Sequence, residues 1–255
     1  MGVVLCATSS MPIQVAFADE DVFRARLAVA RTSDSITFDN SAPAGYKSKV
    51  AHSLFLMTGI GLTGLFKTER GHGYIDFVSQ RSGNATHDLW SDVTAAPQSY
   101  EREESTLTLG ITGTPRERVA VSSFIGYKTG TSTLGAAPGA LGSYTFQKDR
   151  FSTSGAIIGI GMAFPAMGGY FGLNAAIAFM RGEWSDDHSP TSYKAESKHT
   201  AGSGLGASYS YLFSKNVGMS AELKSNAYTY EFTSPSRYTV EEVVSSFGLS
   251  LFAQF

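Results

Sequence analysis

The last thirteen residues, Val243-Val244-Ser245-Ser246-Phe247-Gly248-Leu249-Ser250-Leu251-Phe252-Ala253-Gln254-Phe255, alternate between two chemistries. In an extended chain Val243, Ser245, Phe247, Leu249, Leu251, Ala253 and Phe255 share one face, and Val244, Ser246, Gly248, Ser250, Phe252 and Gln254 share the other. Side chains of a strand point to opposite faces with period two, so the stretch reads as a strand with one greasy face. Just upstream, Val217, Met219, Ala221 and Leu223 alternate with Gly218, Ser220, Glu222 and Lys224. A helix would put Glu222 and Lys224 on different faces; a strand puts both on the polar one.

The uncharged stretch 155–180 is long enough to cross a bilayer as a helix. Six glycines and Pro165 argue for two strands joined by a turn at Pro165-Ala166-Met167-Gly168-Gly169. The first strand would show lipid Ala156, Ile158, Ile160, Met162 and Phe164, with Gly155, Gly159 and Gly161 inside; the second would show Phe171, Leu173, Ala175, Ile177 and Phe179. Phe171 and Phe179 lie roughly 27 Å apart at ~3.3 Å per residue, close to the apolar height of a membrane barrel wall.

The same reading gives ten strands, at about 22–36, 50–62, 73–80, 104–113, 117–128, 150–164, 169–183, 199–213, 216–231 and 239–255. Leu62–Gly73 and Asp88–Thr94 are ambiguous, which leaves twelve possible. Short turns at Gly113–Arg116, Pro165–Gly169 and Ser214–Asn216 alternate with longer loops near 38–48, 81–103, 129–148, 184–198 and 232–238, as in transmembrane barrels. The expected fold is an all-β, antiparallel, up-and-down transmembrane β-barrel. Composition agrees: 16% charged residues, 27 glycines, 12% aromatics and a mean hydropathy near zero fit walls whose apolar outside and polar inside cancel. A net charge of −2 argues against a nucleic-acid binder, which would need a basic stripe to neutralise phosphates.

Residues 1–18 carry no charge and end in Ala16-Phe17-Ala18, followed by Asp19-Glu20-Asp21. The small-x-small ending predicts a signal peptide cut after Ala18 and a barrel domain over 19–255. The usual positive n-region is missing; a start site further upstream would supply it. Cys6, the chain's one cysteine, falls in the expected leader, so disulfides and thiolate metal sites are not expected in the mature chain.

The C-terminal strand resembles the sorting signal of Gram-negative outer-membrane proteins, in which apolar residues at alternate positions lead to a final phenylalanine. The resemblance implies an outer-membrane location and recognition of Phe247, Leu249, Leu251, Ala253 and Phe255 by the barrel-assembly machinery. Within that class the chain is similar to small OmpA-like barrels or to an autotransporter barrel lacking its passenger. Outer-membrane lipid and lipopolysaccharide are the implied surroundings, and no cofactor is implied.

On this register Arg24, Arg26, Asp76, Glu222 and Lys224 face the lumen. They are expected either to form an ion-pair network, with Arg24 and Arg26 near Glu222, or to line a hydrated channel. Trp184-Ser185-Asp186-Asp187-His188-Ser189 is similar to the Asp/His pairing of barrel-borne proteases, but its residues are consecutive, so it reads as a solvated acidic loop with no catalytic residue assigned. His52, His72, His87 and His199 show neither metal-site spacing nor a His-x-Ser pattern. Gly-rich Thr129–Gly142 lacks the Gly-Lys-Ser/Thr ending of a phosphate loop and reads as a mobile external loop. Tyr46, Trp90, Tyr100, Tyr193 and Tyr238 fall in the long loops, where an extracellular ligand would bind. The expectation is a structural or surface-recognition barrel with a narrow, occluded bore; the alternatives are a small diffusion pore and an outer-membrane hydrolase.

Overall fold

The structure, a computed structural model, describes residues 21–40, 46–51, 55–69, 71–83, 85–87, 98–116, 118–136, 149–186, 193–233 and 238–255. The expected leader with Ala16 and Ala18, and Trp90, Asp187 and His188, lie outside the described residues. Twelve strand segments are present: β1 (Val22–Asn40), β2 (Tyr46–Ala51), β3 (Phe55–Thr68), β4 (Gly71–Ser82), β5 (Ala85–His87), β6 (Gln98–Arg116), β7 (Val119–Ala136), β8 (Asp149–Ala166), β9 (Gly169–Asp186), β10 (Tyr193–Leu212), β11 (Val217–Phe232) and β12 (Tyr238–Gln254). β2 and β3 pair with successive parts of β1, and β4 and β5 with successive parts of β6. Each of these couples is one wall strand in two pieces, so the wall has ten strands, all antiparallel.

The wall closes where β12 pairs with β1, from Arg24↔Gln254 to Asp39↔Thr239. Closure removes the sheet edges and satisfies the backbone groups internally, the condition for crossing lipid without helices.

The outer face has two zones. Low on the wall it is apolar: Met162, Ile160 and Ile158 on β8, Leu173, Ile177 and Phe179 on β9, and Ile111, Leu109 and Leu107 on β6 all point outward and stand exposed. Higher up the same faces carry Ser154, Ser152 and Arg150 on β8, Arg181 and Glu183 on β9, and Ser105, Glu103 and Glu101 on β6. A strand of 19 residues, such as β6, is about 60 Å long, or about 45–50 Å tall at a typical tilt, roughly twice the ~25 Å apolar height of such barrels. The wall therefore rises well above its apolar band.

This height is why several sequence-based boundaries were too short. Gln98–Glu103, Thr129–Ala136, Trp184–Asp186 and Tyr193–Lys198 are strand, where the sequence reading expected loops. The supposed mobile Gly-rich segment is, over Thr129–Ala136, the top of β7 paired with β6 and β8. Trp184 is likewise no part of a solvated loop: it is 8% exposed and packs on Phe151 at 5.7 Å between ring centroids. In the ambiguous segment Leu62–Gly73, β3 runs on to Thr68 and β4 starts at Gly71.

At the turn between β8 and β9, Ala166 pairs with Gly169, leaving Met167 and Gly168 at φ 48° and 77°. Two consecutive positive values are the hairpin geometry that suits Asn-Gly, and Met167, 95% exposed, gains no packing for its strain. Met167→Asn is expected to stabilise the barrel by up to about 1 kcal/mol, since a left-handed conformation costs an ordinary residue ~1–2 kcal/mol. A urea midpoint in lipid vesicles, followed by gel mobility, checks this; a lower midpoint would refute it.

Candidate functional site

The inner face is set by the same period-two alternation. On β6 the outward Leu107, Leu109 and Ile111 fix the parity, and carrying it back up the strand turns Glu104, Arg102 and Tyr100 inward. Arg102 is 1% exposed. Its Nη1 lies 2.9 Å from Asp34 Oδ2 on β1, 2.8 Å from Glu242 Oε1 on β12 and 2.8 Å from Ser132 Oγ on β7; its Nη2 lies 3.2 Å from Glu104 Oε2. The Arg102 backbone N–H donates to Ser82 Oγ at 2.7 Å.

Two tyrosines complete the layer. Tyr100 donates to Asp34 and sits 3.0 Å from Ser132 Oγ. Tyr230, on the far side of the bore from β6, donates to Glu242 Oε2 at 3.0 Å. Beside them Lys128 pairs with Glu104 at 2.8 Å and lies 5.5 Å from the ring centroid of Tyr228. The chain Arg102–Glu242–Tyr230 thus crosses the bore from wall to wall, and the carboxylates of Asp34 and Glu242 each meet Arg102 and a phenol. A buried charge is costly unless paired in this way.

Two residues further toward the loops, on the same inner faces, come Ile36, Leu134, Phe232 and Val240, each fully buried. Phe151 joins this apolar layer and meets Tyr230 edge-on at 5.1 Å. Below the charged layer lies a small cavity of about 20 Å³ whose polar lining residues include Arg26, Gln80, Ser220, Glu222, Lys224 and Ser246. That is roughly room for one water.

Several inward glycines are covered by aromatic rings. A Cβ on Gly159 would strike Phe124, one on Gly202 would strike Tyr228, and one on Gly182 would press on Tyr230. The space that glycine vacates is filled by an aromatic, from the adjacent strand at Gly159 and Gly202 and from two strands away at Gly182.

Four of the five lumen charges read from sequence form two separate pairs. Arg26 Nη2 bonds both Asp76 oxygens, at 3.0 and 2.9 Å, and Thr63 donates to the same carboxylate at 2.5 Å. Glu222 pairs with Lys224 on its own strand at 2.9 Å. Arg24 donates to Gln254 Oε1 at 3.0 Å and stacks over the Phe252 ring at 4.1 Å. Arg24 therefore turns to Gln254 and not to Glu222, which corrects the approach expected of it, whereas Arg26 lines the same small cavity as Glu222. Gly61 on β3 has no side chain to stop Arg26 from lying across it toward β4, and the arginine takes that path.

Tyr100 is a second correction, being wholly buried where a loop position was expected. Tyr238 stacks on Phe232 at 4.7 Å, nearly parallel. On β12, Phe247, Leu249, Leu251 and Phe255 stand exposed on the outer face, which Ala253 shares, while β11 and β1 both hydrogen-bond the strand. Among the described residues no group of three or more His, Cys, Asp and Glu side chains is placed to hold a metal ion.

No protein-family model and no curated protein matches the chain. Among solved structures it is similar to the outer membrane protease OmpT of Escherichia coli, with a TM-score of 0.63, 10% identity, and coverage of 92% of this chain and 97% of that one. The toluene transporter TodX of P. putida aligns with a TM-score of 0.42, 10% identity, and coverage of 96% and 92%. Ail, the attachment invasion locus protein of Yersinia pestis, aligns with a TM-score of 0.37, 10% identity, and coverage of 92% and 99%. The first likeness fixes the architecture; the other two are too loose to add to it. The chain has the fold of an outer-membrane β-barrel.

Proposed function

We propose that this chain resides in the outer membrane of a Gram-negative bacterium as a non-conducting barrel that holds a tall, polar upper wall and its loops above the lipid for structural support or surface recognition. The observation that supports the closed bore is the layer in which Arg102 on β6, Glu242 on β12 and Tyr230 on β11 meet across the lumen beneath a buried apolar layer. An ion entering that layer would have to break charge-assisted hydrogen bonds in a dry environment. Support for the location comes from the apolar outer band and from the C-terminal strand, whose outward residues would engage the barrel-assembly machinery. Lipid and lipopolysaccharide would surround the band, and an extracellular ligand would meet the upper wall and loops.

Planar-bilayer recording is the decisive measurement. Wild-type protein is expected to give no stepwise current, whereas stable open steps at low voltage would establish the small-pore alternative. Folding into lipid is checked separately, since an outer-membrane barrel is expected to migrate differently on a gel before and after boiling.

A further inference from the structure

The lipid-facing wall is not smooth. From β7 through β12 to β1 it carries an outward hollow of about 1000 Å³. That is the upper end of the size of small-molecule pockets. Ala175 and Ala207 are the small outward residues at its centre, and Ile160, Met162, Leu173, Leu205, Leu223 and Phe247 wall it. Wall and centre are apolar, as a groove for hydrocarbon requires.

The upper margin is chemically different. Ser33, Ser245 and Ser225 follow one another on neighbouring strands, with the hydroxyls of Ser245 and Ser225 3.1 Å apart. Arg31 stands exposed beside Phe247 at the same margin and forms no ion pair among the described residues. The guanidinium thus stands level with the top of the hydrocarbon wall, at Phe247, and the hydroxyl row lies one outward position above it. A polar, cationic margin above an apolar hollow matches an amphiphile with acyl chains and a phosphate, and Arg presents the planar donor fork that suits phosphate oxygens.

We propose that this hollow is a specific site for a phosphorylated, multiply acylated lipid of the outer leaflet, lipid A in chemical class. The acyl chains lie over Ala175 and Ala207, and a phosphate rests on Arg31 and the serine row. The site rests on the reading that the apolar band lies in lipid.

Native mass spectrometry of the detergent-purified barrel, titrated with lipid A, tests the site, with diacylglycerol as the phosphate-free arm. Wild type is expected to bind one lipid A, at least about tenfold more tightly than diacylglycerol. Arg31→Glu removes the cation and Ala207→Trp fills the hollow; each is expected to weaken lipid A binding about tenfold or more. Arg181→Glu changes an outward arginine outside the hollow and is expected to leave binding unchanged.

Equal binding of diacylglycerol would overturn the phosphate assignment. Wild-type affinity in both Arg31→Glu and Ala207→Trp, or an equal loss in Arg181→Glu, would overturn the site. Gel mobility before and after boiling shows independently whether each variant is a folded membrane barrel, so failure of the lipid site and failure of the membrane reading give different results.

Discussion

Replacing Arg102 by methionine is expected to lower the unfolding free energy by about 3–5 kcal/mol, the cost of removing one partner from a buried ion pair. The size follows from what is left behind. Asp34 and Glu242, 0% and 1% exposed, would lose their shared cation and face each other across a dry layer. Removing all three charges, as Arg102→Met with Asp34→Leu and Glu242→Leu, is expected to recover most of the loss, because apolar replacements of similar volume are often neutral or better. Urea midpoints in lipid vesicles decide between the two variants. An unchanged midpoint for the single variant would mean that the layer holds nothing together.

The position of the layer sharpens that expectation. Asp34 is on the first strand and Glu242 on the last, so one guanidinium grips both sides of the closing seam. Ser33 and Ser245 are opposed on the outer face of the same seam, and a disulfide between cysteines placed there should reduce the Arg102→Met deficit. A control disulfide between Thr131→Cys and Ser152→Cys, joining β7 to β8, should not. Each disulfide is measured in both backgrounds, because the seam bridge closes a far longer loop and stabilises more for that reason alone.

The wall was legible in the sequence; the site largely was not. Leu107, Leu109 and Ile111 alternate with Thr106, Thr108 and Gly110, so the strand declares itself where one face meets lipid. Above the band both faces are polar, and Glu101-Arg102-Glu103-Glu104 shows no contrast from which to read a period. Parity could still have been carried upward from Leu107, and it turns Arg102 and Glu104 inward. What no local pattern carries is the partner. Asp34, Arg102 and Glu242 are far apart in the chain, and only closure of the wall makes them neighbours. Arg26 shows the same limit at shorter range: its inward direction follows from alternation, but its choice of Asp76 depends on the gap at Gly61.

Introducing arginine at Ile158 is expected to cost about 2–4 kcal/mol, the penalty for a cation on the lipid face near the bilayer midplane. Ile158 faces outward between Ile125 on β7 and Ile177 on β9, so its neighbours offer nothing to pair with. Six residues up the same outward face, Ser152→Arg should change stability by no more than about 0.5 kcal/mol, as surface substitutions usually do. The comparison is severe because both substitutions create the same residue on one strand and differ only in height. If the lower wall met water instead, Ile158→Arg would relieve exposed apolar surface and the two variants would behave alike. Equal urea midpoints for the two would therefore refute the two-zone wall. A large gap between them would place the lipid boundary on β8 between Ile158 and Ser152, below the level at which Arg102 spans the bore.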